Sequence, residues 1–282
     1  MIYGLVAAVG WGLADFFGAV SGRRLGSVGT VFVAQALSAV VTSIIVLVAR
    51  PDLSGIADAA GWVALNGIVS CAAYASHYKA LELGPVAVVS PIGAGYALVG
   101  LLLAVVFGGE RPGAVAIVGA AVTVGGVMLA STDLRALRDG VRGHAPGVPW
   151  SLAAAVFFGC GAFLLGFLSQ EIGWEAGLWS SRCAQLVGFS ALVAARRYPL
   201  RRVGANAGTG AALLTGAADL LGVISYSIGT AAGFISIILV SSAVFPLLAV
   251  GLSVAFLRER LVPNQYVGVV LVVVGLVMLG LG

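Results

Sequence analysis

Four ionisable residues, Asp15, His77, Arg182 and Asp219, interrupt stretches otherwise built from Ala, Val, Leu, Ile and Gly. In hydrocarbon such a group costs several kcal/mol unless it faces water or a partner, so each is a candidate for binding a solute, holding a proton or forming an ion pair. Arg182 lies 14 residues before Arg196, and Asp219 lies 13 after Asn206. At about 1.5 Å per helical residue both stand roughly 20 Å from the same connecting link. A shared depth predicts a buried pair. Two roles are open to it: a structural bridge locking the seventh apolar segment to the eighth, or a site where Asp219 faces a cavity and takes a solute or a proton. Gly222 and Tyr226 share the helical face of Asp219. A shift of 149 residues maps that face onto Ser70 and His77, where Tyr74 adds a polar ring.

Asp15 follows Trp11 by one helical turn and lies only about 9 Å along the axis from Arg23 and Arg24. Local hydration or pairing with those arginines and a role at a cavity wall are both open to it. His77 would titrate near physiological pH if exposed, but it neighbours Lys79 and Glu82, the setting of a hydrated helix-end histidine. Lys79 and Glu82 read as snorkelling or link charges. Glu110-Arg111 reads as orientation and loop packing. Trp62, Trp150, Trp174 and Trp179 sit near expected interfaces, where aromatic anchoring is the default. Trp11 is deeper and offers a stacking surface. Tyr96 and Phe245 stand 149 residues apart and are expected to form opposing walls.

The elements that must position these residues follow from composition. Of 282 residues, 60% are hydrophobic and 9% charged, with mean hydropathy +1.10, far from the roughly 25% charge of a soluble domain. A membrane helix needs about 20 apolar residues. Ten runs of that order lie near residues 2–20, 28–49, 56–78, 85–107, 113–130, 148–168, 175–195, 207–228, 233–257 and 263–281. The longest polar link, 131–147, is too short for a core of its own. The first run lacks a basic flank before it and is read as a span, not a cleaved leader. Cys71, Cys160 and Cys183 fall inside runs without metal-like spacing and read as packing residues.

Twelve of the fifteen Lys and Arg residues fall in the links after runs one, three, five, seven and nine; Arg50 and Arg111 occupy the others. Short basic loops stay cytoplasmic, which places both termini outside. The pI near 9.2 is therefore an orientation signal, and no nucleic-acid partner is expected.

The sequence also repeats itself. Gly109-Glu110-Arg111 is echoed by Arg258-Glu259-Arg260, and a 149-residue shift aligns Gly84 with Gly233, Phe107 with Phe256, Gly119 with Gly268 and Gly126 with Gly275. Small gaps extend the match to Trp11-Gly12 with Phe158-Gly159, Ala34-Gln35 with Ala184-Gln185, and Arg50-Pro51 with Tyr198-Pro199. Each copy holds five runs. Five is odd, so the second copy enters the membrane from the opposite side, the inverted repeat of secondary transporters. The basic links agree, since corresponding loops of the two copies have exchanged their charge. Gly119, Gly125, Gly126, Gly268 and Gly275 read as close-contact faces, not phosphate loops.

In order and twice over, Trp11-Gly12, the Ala80-Leu81-Glu82-Leu83-Gly84-Pro85 link, Ser90-Pro91, Phe245-Pro246 and the two Glu-Arg boundaries resemble the ten-helix drug/metabolite transporter (DMT) superfamily, specifically its EamA-type permeases. The resemblance spans essentially the whole chain. It implies a basket of ten helices around a central cavity lined by the first, third and fourth helices of each half, and transport of small metabolites or drugs. Two departures stand out. Ala97 occupies the place of a frequent proline in the fourth helix, with Pro91 earlier, and the basic links oppose the cytoplasmic termini of many relatives.

The expected fold is an all-α integral membrane protein: ten transmembrane helices as two inverted five-helix repeats, residues 1–130 and 148–282, joined by 131–147 around a central cavity. The expected function is alternating-access transport of small metabolites, amino acids or drugs in the cell membrane, with proton coupling compatible with a carboxylate in one half only. A lipid flippase is the runner-up and a channel a weaker option. Partners are the solute, the bilayer and protons, with the protein a monomer or homodimer. The sequence lacks nucleophile–base, HExxH and GxSxG signatures, so neither an enzyme, a metal nor a cofactor is expected. The candidate site comprises Trp11, Asp15, Tyr74, His77, Tyr96, Arg182, Asp219, Tyr226 and Phe245.

Overall fold

The computed structural model describes residues 1–83, 86–131, 147–195, 197, 203–248 and 263–281. Arg135, Arg138, Arg142, His144, Arg196, Arg201, Arg202 and the later boundary Arg258-Glu259-Arg260 lie outside the described residues, as do Gly84-Pro85, Tyr198-Pro199 and Phe256.

Among the described residues the regular structure is α-helical. The helices are α1 (Ile2–Ala49), α2 (Gly55–Asp58), α3 (Ala60–Leu83), α4 (Val86–Gly93), α5 (Tyr96–Val106), α6 (Ala114–Ser131), α7 (Val148–Glu171), α8 (Trp174–Ala195), α9 (Ala207–Ala232), α10 (Ile235–Ser242) and α11 (Pro263–Leu281). All ten apolar runs carry helix. Hydrocarbon offers no partner for backbone N–H and C=O groups, so each segment must satisfy them internally. By length and composition α1, α7 and α9 are long and apolar enough to cross a membrane.

The first two runs form one interrupted element. Gly26 adopts φ 76° inside α1, a conformation that costs glycine little, and the chain kinks there without a separate link. Ser21 and Thr30 join their hydroxyls across the kink at 2.8 Å, and Ser21 also donates to the carbonyl of Gly208 at 3.1 Å. At the start of α9, the Asn206 side chain accepts the N–H groups of Gly208 and Thr209, each at 3.0 Å, a standard N-cap.

The fourth run is broken at Ala94-Gly95, between α4 and α5, and the ninth turns at residues 243–245. These positions differ by 149. The proline substitution at Ala97 therefore leaves the break in register with that of the ninth run.

Glu110 is buried, and its carboxylate accepts the N–H of Ile235 at 2.6 Å and of Ser236 at 3.1 Å. More than loop packing, it closes the start of α10 and complements the positive end of that helix. Glu110→Ala is expected to cost about 1–2 kcal/mol, read as a lower melting temperature in detergent; an unchanged value would show the cap to be idle.

Polarity is inverted relative to a soluble protein. Leu47, Val48, Ile68, Leu102, Phe107 and Val270 are exposed, while Gln35, Asn66, Arg182 and Asp219 are buried. Such an apolar exterior suits lipid. Helix α6 packs along α11, α1 along α9, and α3 along α7.

The close contacts interchange between the two sequence copies. A β-carbon on Gly119 would stand 2.7 Å from the nitrogen of Leu279, beside Gly275; one on Gly126 would stand 2.7 Å from the nitrogen of Val272, beside Gly268. Rising numbers in α6 meet falling numbers in α11, so the two run antiparallel. Gly12 abuts Phe245 and Leu248 while its counterpart Gly159 abuts Tyr96 and Val99; Gly67 abuts Ala184 while Gly216 abuts Ala34. Gly125 faces open space, which corrects its expected place on a contact face.

Candidate functional site

Arg182 occupies the centre of the first polar cluster. From α8 its Nη1 donates to Oε1 of Gln35 and of Gln185, each at 2.9 Å, and to the Tyr74 hydroxyl at 3.1 Å. Its Nη2 donates to Oδ2 of Asp219 in α9 at 3.0 Å, and Tyr74 in α3 donates to the other carboxylate oxygen at 2.9 Å. The guanidinium also lies 5.5 Å from the centroid of the Tyr74 ring, within cation–π range. The expected pair is thus present. It is embedded in a network joining α1, α3, α8 and α9, and Arg182 is only 1% exposed.

The second cluster corrects two expectations. His77 is buried, not hydrated at a helix end, because its Nε2 meets Oδ1 of Asp15 at 2.8 Å. Asp15 turns inward from α1, and its Oδ2 accepts the hydroxyl of Ser90 in α4; Arg23 and Arg24 stay exposed. Lys79 and Glu82 pair with each other at 3.2 Å, and Glu82 also accepts the N–H of Ser27 at 3.2 Å.

Aromatic rings enclose the space between the clusters. Trp11 lies 6.1 Å from Tyr96 and 5.7 Å from Tyr226, and Tyr96 lies 6.5 Å from Phe245, between ring centroids. Gly222 seats Trp11: a β-carbon there would be 2.6 Å from the indole. The hydroxyl of Tyr226 donates to the carbonyl of Ala162 at 2.9 Å, and that of Tyr96 shares a 2.5 Å bond with Ser242. In the sequence echo Tyr226 aligns with His77, and Ala162 falls near the position of Asp15. The aligned positions thus make an ionisable contact in one case and a neutral one in the other.

The structure brings all nine candidate residues around one cavity. Sequence reasoning missed Ser90, Tyr78, Phe158, Gln35 and Gln185 as parts of this region. The two glutamines carried a signal, being aligned polar residues within apolar runs; Phe158 carried none beyond its match to Trp11. Trp62 and Trp150 are exposed, as interface residues would be. Trp174 packs partly against the core, and Trp179 donates to Ser43 at 2.9 Å. Among the described residues no group of three His, Cys, Asp or Glu side chains is placed to hold a metal.

Residues 1–132 match the model of the EamA-like transporter family. Over those residues the chain is similar to EamA-like transporters. That similarity implies a membrane transporter of small molecules, in keeping with the apolar exterior and the cavity. A solved chain described only as "Crystal structure of protein" superposes with a TM-score of 0.76 over 99% of this chain and 96% of its own, at 18% identity; a likeness at that identity speaks to the fold alone. No curated protein matches the sequence.

Proposed function

We propose that this EamA-type protein is a secondary active exporter or exchanger of small metabolites, amino acids or drugs in the cell membrane. It works by alternating access between two inverted halves, 1–130 and 148–282, with protons as the coupling ion. The interchanged contacts of Gly119 with Gly275 and Gly126 with Gly268 support the halves, because a two-fold axis makes each contact occur twice with its partners exchanged.

One observation carries the reading. A single cavity is lined by Asp15 and His77 from the first half and by Arg182 and Asp219 from the second, so rocking one half against the other changes its access. Asp15–His77 is the proton site in this reading, since Asp219 is already paired with Arg182 and the sequence echo of Asp15 has no carboxylate.

Reconstituted vesicles test this directly. Uptake of amino acids, cationic drugs and lipid analogues is measured with and without an imposed pH gradient. Wild type is expected to respond to the gradient, and Asp15→Asn to lose about a hundredfold of the driven rate, the lower end for a missing acid–base group. Transport indifferent to the gradient ends the coupling role. Movement of lipid analogues alone makes the protein a flippase.

A further inference from the structure

The charged side chains of the cavity are already matched with one another. Arg182 is balanced by Asp219, and every carboxylate oxygen has a partner: Tyr74 and Arg182 on Asp219, His77 and Ser90 on Asp15. The hydroxyls of Tyr96 and Tyr226 are engaged by Ser242 and by the carbonyl of Ala162. Nδ1 of His77 and Nε of Arg182 have no partner, but both are sealed from solvent.

Four neutral groups remain open. The hydroxyls of Ser70 and Tyr78, Nε1 of Trp11 and Nε2 of Gln185 line this cavity and bond to nothing among the described residues, yet none of them is sealed. Ser70, Tyr78 and Gln185 are more than nine-tenths buried, so what surface they keep faces the cavity. Arg182 only donates; the amide oxygen of Gln185 therefore faces it, and the amide nitrogen is turned away. Ser70 and Tyr78 lie about two turns apart on α3. A β-carbon on Gly161 of α7 would press on the Ser70 hydroxyl at 3.0 Å, so glycine leaves that hydroxyl uncovered. Buried polar groups without partners cost free energy, which a ligand that pairs them recovers. The four are also one-sided in chemistry. Trp11 and Gln185 can only donate here, the two hydroxyls do either, and no open group is limited to accepting.

We infer that the transported solute is an uncharged, flat aromatic molecule recognised through carbonyl or ring-nitrogen acceptors. This rests on the transport reading above. An anion would find no unmatched cation, and an ammonium group would find no carboxylate oxygen without a partner. A carbonyl instead receives N–H from Trp11 or Gln185 and O–H from Ser70 or Tyr78. Its ring lies against the aromatic walls, where Trp11, Tyr96, Phe158 and Phe245 offer faces and edges.

Calorimetric titration of the purified full chain in detergent compares four bicyclic probes: 1-methyl-4-quinolone, neutral with a carbonyl; 1-methylnaphthalene, neutral without one; 1-naphthoate, an anion; and 1-naphthylmethylamine, a cation. The quinolone is expected to bind about tenfold more tightly than each of the others, the order of one or two net hydrogen bonds. Ser70→Ala and Tyr78→Phe delete hydroxyls that hold nothing else in the described fold, so the melting temperature is expected to stay unchanged. Each is expected to weaken the quinolone about fivefold, the worth of one neutral hydrogen bond, and to leave 1-methylnaphthalene as it was. A loss in either variant supports the inference. Any of the other three probes binding as tightly as the quinolone, no binding of the quinolone, or unchanged quinolone affinity in both variants overturns it. Transport of a charged solute in the vesicle assay would still stand, so failure here and failure of the carrier reading are separable.

Discussion

Arg182→Met is expected to destabilise the protein by about 3–5 kcal/mol, because it leaves a buried carboxylate without its cation. Asp219 would keep only the Tyr74 hydroxyl, and the carbonyl oxygens of Gln35 and Gln185 would lose the donor they share. The melting temperature in detergent reports the loss directly. Asp219→Asn is expected to be milder, since the amide retains an oxygen for Arg182. The double variant Arg182→Met/Asp219→Leu removes both charges and is expected to recover much of the stability, as apolar replacements of buried pairs do elsewhere. Transport then separates the two roles of the pair. A double variant that folds but carries no solute assigns the pair to the transport cycle; one that folds and transports normally leaves it a structural bridge. Unchanged uptake and pH dependence in Asp219→Asn would likewise remove Asp219 from the solute path.

Gly126→Leu is expected to cost about 3 kcal/mol, the upper range for overpacking a tight contact. Its β-carbon would fall 2.7 Å from the nitrogen of Val272 and 2.9 Å from the carbonyl oxygen of Gly268. Both are backbone atoms, so relief requires α6 and α11 to move apart. The adjacent residue supplies the control. Gly125 faces open space, and Gly125→Leu is expected to change the melting temperature little. Equal effects at 125 and 126 would show that glycine matters here for helix flexibility and not for close approach.

The breaks in the fourth and ninth runs are instructive about what a local pattern carries. Pro91 and Pro246 mark neighbourhoods where a helix can be interrupted, but the turns fall at Ala94-Gly95 and at residues 243–245. Proline restricts the residue before it and removes one donor; the position of the turn also depends on the neighbouring helices. His77 is a sharper case. Its neighbours Lys79 and Glu82 suggest water, yet a carboxylate 62 residues away draws it inward at 2.8 Å. Gly125 and Gly126 are adjacent and chemically identical in sequence, and helix rotation alone puts one against α11 and the other outside.

The amino-acid sequence by itself determined that the chain is helical, built for a membrane and similar to EamA-type permeases, because hydropathy, span length and ordered motifs are local quantities that add along a chain. It also contained the 149-residue echo and named the ionisable groups that hydrocarbon would not tolerate alone. Only the tertiary structure decided that Asp15 meets His77 and Ser90, and that Arg182 gathers Gln35, Gln185, Tyr74 and Asp219. Those contacts depend on the rotation and crossing of helices far apart in the chain, and a change of one residue in register turns a side chain by about 100°.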